Sequence, residues 1–190
     1  FDAIRVDHFI GFVRLYEVAS NAKTARHGVW RRTPGRLLLE MLQQKLGDLP
    51  LIAEDLGEVT PAVHALRDDF NLPGMRIVQW GFFGDQSNDL PMNHPSRCVC
   101  YPGTHDNDTI RGWYRSLPRQ AKARFNAITG CERAADAAMS MITLCMSSPA
   151  ECCVIPMQDI LNPVSFTHLT SPTTPHLDTP ADDRNPTNTT

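Results

Sequence analysis

Three acidic side chains, Asp7, Glu54 and Asp106, stand just beyond short apolar runs, Ile4 to Val6, Leu51 to Ala53 and Val99 to Tyr101. Carboxyl groups held in different environments divide acid and base work, and a further negative charge favours a cationic transition state. Retaining glycoside chemistry needs that set: an ionised carboxylate to attack the anomeric carbon, a protonated carboxyl for the leaving oxygen, and a stabilising charge. Arg5 lies two residues before Asp7 on an extended segment. Both side chains then share a face, and the guanidinium favours the charged form of Asp7. Glu54 follows Leu51-Ile52-Ala53, so partial desolvation is expected to raise its pKa toward that of a working acid. Asp106 sits beside His105, whose imidazole can donate to a sugar hydroxyl.

Singly, each residue has a plainer use. An Asp after a strand often caps or turns the chain, an Arg-Asp pair is often structural, Glu54-Asp55 fits a loop wetting its surface, and His105 fits a residue holding its own turn. Jointly those readings weaken, because polar clusters after separate strands converge at one rim of a barrel.

The elements that must position these groups are legible as a strand and helix rhythm. Ile4 to Val6, Leu51 to Ala53, Met75 to Trp80, Cys98 to Tyr101 and Val154-Ile155 read as strands. A long connection is expected after the first. Thr33-Pro34-Gly35 is expected to open a helix with a cap followed by Pro, with an apolar stripe of Leu37, Leu38, Met41, Leu42 and Leu46, stopped at Gly47. Thr60-Pro61 opens a second, with Val63, Leu66 and Phe70 inward. Arg119 to Phe125 and Glu132 to Met146 have helical composition, the latter with Ala134, Ala138, Ile142 and Cys145 along one side. Short apolar strands alternating with helices imply an α/β fold with a parallel sheet covered on both faces. From about Asn162 the chain is rich in Pro, Thr, Asn and Asp, and residues 162–190 are expected to be disordered.

Composition narrows the partners. The 190 residues are 42% hydrophobic and 21% charged, with net charge −3, so no basic stripe marks a nucleic-acid surface. Pairs such as Arg31-Arg32 and Lys122/Arg124 read as solvated faces. No apolar run reaches the roughly 18 residues that span a bilayer, and no signal pattern opens the chain, so a cytoplasmic setting is expected. Cys98, Cys100, Cys131, Cys145, Cys152 and Cys153 lack paired C-x-x-C spacing, and reduced, mostly buried thiols are expected.

Arg5-Val6-Asp7-His8-Phe9, Ile52-Ala53-Glu54-Asp55-Leu56-Gly57 and Gly103-Thr104-His105-Asp106-Asn107-Asp108-Thr109, in this order and spacing, resemble the signature of the 4-α-glucanotransferases (amylomaltase or disproportionating enzyme) of glycoside hydrolase family 77. Gly28-Val29-Trp30, Leu72-Pro73-Gly74-Met75 and Ile155 to Leu161 agree. The likeness covers Phe1 to Leu161.

The resemblance implies an eight-stranded (β/α)8 TIM barrel, of which this chain supplies about strands 4 to 8. Residues 1–161 would be the C-terminal part of the catalytic barrel, and the tail from 162 to 190, which departs from the family pattern, would be foreign sequence. It further implies Asp7 as nucleophile, Glu54 as general acid/base, Asp106 as transition-state stabiliser, and Arg5 and His105 as substrate-binding residues. The implied reaction moves a segment of an α-1,4-glucan to the 4-hydroxyl of another glucan or of glucose, with α-1,4-glucans, maltooligosaccharides and glucose as partners and no metal or organic cofactor. The chain by itself is expected to be inactive. Two other readings stand beside it: a metal-dependent barrel hydrolase using Asp7, His8, His105 and Asp106 as ligands, against which Arg5 counts, and a glucan-binding relic without catalysis.

Overall fold

The computed structural model describes residues 2–48, 50–84 and 87–162. Ile4–Val6 form β1 and Leu51–Ala53 form β4, which pair in parallel with Ile4 opposite Leu51 and Val6 opposite Ala53. Gly74–Ile77 (β5), Cys98–Tyr101 (β6) and Cys152–Cys153 (β7) make a second parallel sheet in that order. The two sheets meet where the Ala53 amide donates to the Pro73 carbonyl at 2.9 Å. The segment Val78–Phe83 winds as a 3-10 helix, so the strand expected over Met75 to Trp80 ends at Ile77. The last strand lies two residues before Val154-Ile155.

Between β1 and β4 the expected long connection is instead an antiparallel hairpin, Arg14–Val18 (β2) with Gly28–Arg32 (β3). Cross-strand side chains hold it: Tyr16 and Trp30 lie in ring contact at 5.1 Å, and the Arg14 guanidinium sits 4.0 Å over the Trp30 ring.

The helix Gly35–Leu46 (α1) corrects two expectations. Thr33 does not cap it; its hydroxyl donates to the Gly11 carbonyl at 2.8 Å. The stripe of Leu37, Leu38, Met41 and Leu46 is exposed, Leu42 is half-buried, and Leu39 is the buried leucine. The cause is the close seating of the helix start. A Cβ on Gly35 would lie 2.1 Å from the Phe12 carbonyl oxygen, so this face touches the preceding turn, and Leu39, four residues on, shares it. Gly47 ends the helix at φ 75°, as expected of a glycine there.

Helix α2, Pro61–Asp69, buries Val63 and Leu66 as expected, with Phe70 half-buried beyond it. Ile110–Ser116 (α3), Arg119–Thr129 (α4), Ala137–Met146 (α5) and Met157–Leu161 (α6) follow. On one face of the strands Met75, Ile77, Val99 and Tyr101 pack with Ile52 and Leu56. On the other, Ala53 packs with Val63, Leu66 and Phe9, while Cys100 packs with Trp113, Phe125 and Met141. This two-sided burial is what short continuous apolar strands require. Phe125 is fully buried with Phe82, Trp113 and Tyr114 around it at 5.1 to 5.5 Å, a contact set worth about 0.5–1.5 kcal/mol per aromatic pair beyond area burial.

The sulfurs of all six cysteines are free; Cys98, Cys100, Cys131 and Cys145 are buried, Cys153 is half-buried and Cys152 is exposed. Among the described residues no helix is long and apolar enough to cross a membrane. The tail reading for 163–190 falls outside the described residues.

Candidate active site

The register of β1 against β4 decides how the first acids meet. Arg5 lies opposite Ile52 and Val6 opposite Ala53, so Asp7 and Glu54 are the next pair, one step beyond the ladder. Ile52 faces the Met75 and Val99 side of the sheet, and side chains two residues apart share a face, so Arg5, Asp7 and Glu54 all lie on that side. The Glu54 amide donates to the Val6 carbonyl at 3.0 Å, which extends the pairing to this point.

The two carboxyls then meet different surroundings. Asp7 is ion-paired with the Arg5 guanidinium and its side chain is 78% exposed. Glu54 is half-buried, and its Oε2 accepts the His8 amide at 2.6 Å. Burial pushes the Glu54 carboxyl above its ordinary value, and the neighbouring Asp7 charge adds to the rise; the His8 amide and the Arg5 cation pull the other way. The amide reaches Glu54 because His8 turns the chain at φ 49°, ψ 52°, in the left-handed region that costs a non-glycine residue about 1–2 kcal/mol.

His105 and Asp106 lie in the loop after β6, at the same ends of the strands as Asp7 and Glu54. His105 Nε2 stands 3.3 Å from Asp106 Oδ1, with both side chains exposed. The loop is braced from within. Asn107 Oδ1 accepts both the Thr104 amide at 2.8 Å and the Thr104 hydroxyl at 3.0 Å, and the Thr109 amide donates to Asp108 Oδ1 at 2.8 Å. Gln79 Nε2 donates to the Asp108 carbonyl at 3.0 Å, and a Cβ on Gly103 would meet that nitrogen at 2.7 Å. The structure thus pairs Arg5 with Asp7, places Glu54 one register step across within electrostatic reach of both, and carries His105 and Asp106 on the loop after β6.

Sequence reasoning passed over three supports. Asp55 is buried, not a residue wetting a loop; its carboxylate pairs with Arg67, lies 3.8 Å from Arg76 and accepts the Met75 amide at 2.8 Å. Asp159 is buried and accepts the Ile110 amide at 2.8 Å, tying α6 to the helix that follows the His105 loop. Tyr101, at the end of β6, is buried on the inner face, within electrostatic reach of Arg5. The signal for both acids was their place in the matched runs, Ile52 to Gly57 for Asp55 and Ile155 to Leu161 for Asp159; neither run shows that its acid is buried. Among the described residues, the His, Cys, Asp and Glu atoms gathered at metal-ligand spacing are those of Cys100, Cys145 and Cys153. The alternative ligands Asp7, His8, His105 and Asp106 are not so gathered.

The sequence profile of the 4-alpha-glucanotransferases, glycoside hydrolase family 77, matches residues 1–185. The chain belongs to this family. The 4-alpha-glucanotransferase of Thermus thermophilus is 41% identical over 169 residues, 85% of this chain and 34% of that protein. The chloroplastic/amyloplastic 4-alpha-glucanotransferase of Arabidopsis thaliana is 40% identical over 175 residues, 92% of this chain and 30% of that protein. Amylomaltase from Streptococcus agalactiae, solved in complex with acarbose, superposes with a TM-score of 0.81 at 32% identity, covering 85% of this chain and 33% of that one. This family 77 chain therefore spans about a third of the length of the relatives it matches.

Proposed function

We propose that this chain is part of the catalytic barrel of a 4-α-glucanotransferase, with residues 1–161 supplying about the last five strands. The observation that carries the reading is the pair of carboxyls beyond β1 and β4: Asp7 exposed against Arg5, Glu54 half-buried and raised. That contrast suits a nucleophile and a general acid side by side. The reading is supported by family membership and by a structural relative that holds acarbose.

In the first half-reaction an Asp7 oxygen bonds to the anomeric carbon of an α-1,4-glucan as the glycosidic C–O bond breaks, and the Glu54 proton passes to the leaving oxygen. In the second, Glu54 takes the proton from the 4-hydroxyl of the acceptor glucan, whose oxygen displaces Asp7 from the anomeric carbon. Asp106 stabilises the positive charge that develops on the sugar, and Arg5 and His105 contact its hydroxyls. Maltooligosaccharides and glucose serve as acceptors. Nothing in these steps calls for a metal or an organic cofactor.

Glu54 fixes the pH dependence. It must be protonated to start the first half-reaction, so transfer from natural glucans falls as pH rises through the raised Glu54 pKa, above the roughly 4.3 of a free Glu. In a full-length protein carrying this chain, an α-glucosyl fluoride donor, whose leaving group needs no proton, loses that alkaline limb in the glycosylation step. The same limb with both donors contradicts the assignment. The 190-residue chain alone is expected to show no turnover: Ile4 on β1 and Leu37, Leu38, Met41 and Leu46 on α1 are exposed apolar side chains, against which the rest of a barrel enzyme would pack. Chain redistribution from maltotriose checks it, and robust turnover by the isolated chain refutes it.

A further inference from the structure

The catalytic reading leaves a second cluster unused, on the opposite side of the strands. Cys100 on β6, Cys145 on α5 and Cys153 on β7 bring their sulfurs within 4.8 Å of one another. Two of the three are adjacent by strand register, Cys100 opposite Cys153, and the third comes down from the helix packed over that face. Cys100 and Cys145 are buried in the aromatic cluster of Phe125 and Trp113, and Cys153 packs against it while remaining half-exposed. Cys152, next along the strand, is exposed; alternation turns it to the other face.

We propose that Cys100, Cys145 and Cys153 form a trithiolate binding site for a soft, three-coordinate cation, with trivalent arsenic the best match. Three sulfurs held about 2.3 Å from a shared ion sit at most about 4 Å apart, and closer when the complex is pyramidal, so binding draws the three thiols together from their spacing of up to 4.8 Å. Thiolate donors select soft cations. The count of donors and the surroundings choose among these. Among the described residues no histidine or carboxylate joins the three sulfurs at ligand spacing. His94, the nearby imidazole, has its ring nitrogens engaged by the Ser148 hydroxyl at 2.8 Å and the Asp89 carbonyl at 3.1 Å. A tetrahedral ion such as zinc would thus lack a fourth protein donor and leave a net negative complex in an apolar cluster, which burial disfavours. Trivalent arsenic prefers three sulfurs and gives a neutral product: arsenous acid, As(OH)3, condenses with three thiols to form three As–S bonds and three waters, with no change of oxidation state. Cys153, half-exposed, is the point of entry.

The test uses the complete reduced chain in a Cys152→Ser background, exposed to arsenite, desalted and weighed intact, with arsenic X-ray absorption to count sulfur neighbours. One arsenic per chain with three sulfur neighbours is expected, lost in Cys145→Ala and in Cys153→Ser and kept in Cys131→Ala. Should a variant at buried Cys100 or Cys145 fail to fold, half-buried Cys153→Ser, checked by circular dichroism, and the sulfur count still decide. No retained arsenic, two sulfur neighbours, or retention unchanged by Cys153→Ser overturns the site, and preferential retention of zinc over arsenite overturns the choice of ion.

Discussion

Replacing Asp7 by Asn in a full-length protein carrying this chain is expected to lower glucan transfer by about four to six orders of magnitude, the scale on which loss of a covalent nucleophile acts. The amide is close in shape to the carboxylate, so the variant keeps the β1–β4 pairing and leaves Glu54 accepting the His8 amide. What it loses is the negative oxygen that bonds to the anomeric carbon, together with the ion pair to Arg5. Asp7 is largely exposed and Arg5 keeps about a third of its side chain in solvent, and the Asn amide oxygen can still accept from the guanidinium, so stability should change by about 1 kcal/mol or less. Steady-state transfer from maltotriose with parallel urea unfolding separates the two quantities. A variant that unfolds in step with its loss of activity would make Asp7 a structural residue.

The second large effect belongs to Asp55, which touches none of the chemistry. Its carboxylate is fully buried between Arg67 and Arg76 and accepts the Met75 amide. Asp55→Ala leaves the Met75 amide without its carboxylate acceptor, takes from Arg76 the carboxylate 3.8 Å away, and leaves Arg67 paired with the exposed Asp68. Breaking a buried pair from one side costs about 3–5 kcal/mol, a large share of a domain's stability. The fit is close on the other side as well, since a Cβ on Gly74 would lie 2.6 Å from Asp55 Oδ2. Urea unfolding of the chain measures it, and a loss below about 1 kcal/mol would mean that water replaces the carboxylate. Because Asp55 adjoins Glu54 and holds the start of β5, the same variant should also blunt activity through the position of Glu54.

How far the sequence showed these features depended on whether the signal was local. The run before Glu54 is legible because a strand covered on both faces is apolar throughout, and the run before Asp7 because β-branched Ile4 and Val6 alternate with polar residues. The Arg5–Asp7 pair follows from the two-residue period of a strand, and the raised Glu54 from the apolar residues ahead of it. The hairpin β2–β3 was not legible: Leu15, Tyr16, Val29 and Trp30 are exposed, so no alternation between core and solvent marks it, and its pairing spans a loop without a recognisable turn signal. Helix α3 carries Gly112 in its interior and is set by Thr109, whose Oγ1 accepts the Gly112 amide, and by distant Asp159. The stripe on α1 shows the limit of periodicity. It marks which leucines share a face, whereas the contact of Gly35 with Phe12 decides which face is covered. Asp55 lay hidden for the same reason, since its partners Arg67 and Arg76 come from other elements.

The central claim is that Asp7 becomes covalently glycosylated while Glu54 moves the proton. The measurement that addresses it is peptide mass spectrometry on a full-length Glu54→Gln protein carrying this chain, after reaction with α-glucosyl fluoride. The fluoride allows the first half-reaction without an acid, and the missing base slows the second, so the intermediate should accumulate. The account predicts one hexosyl mass on the peptide containing Asp7, absent when Asp7 is also Asn. A label on Asp106 or on any other residue, or turnover without a covalent label at Asp7, would contradict it.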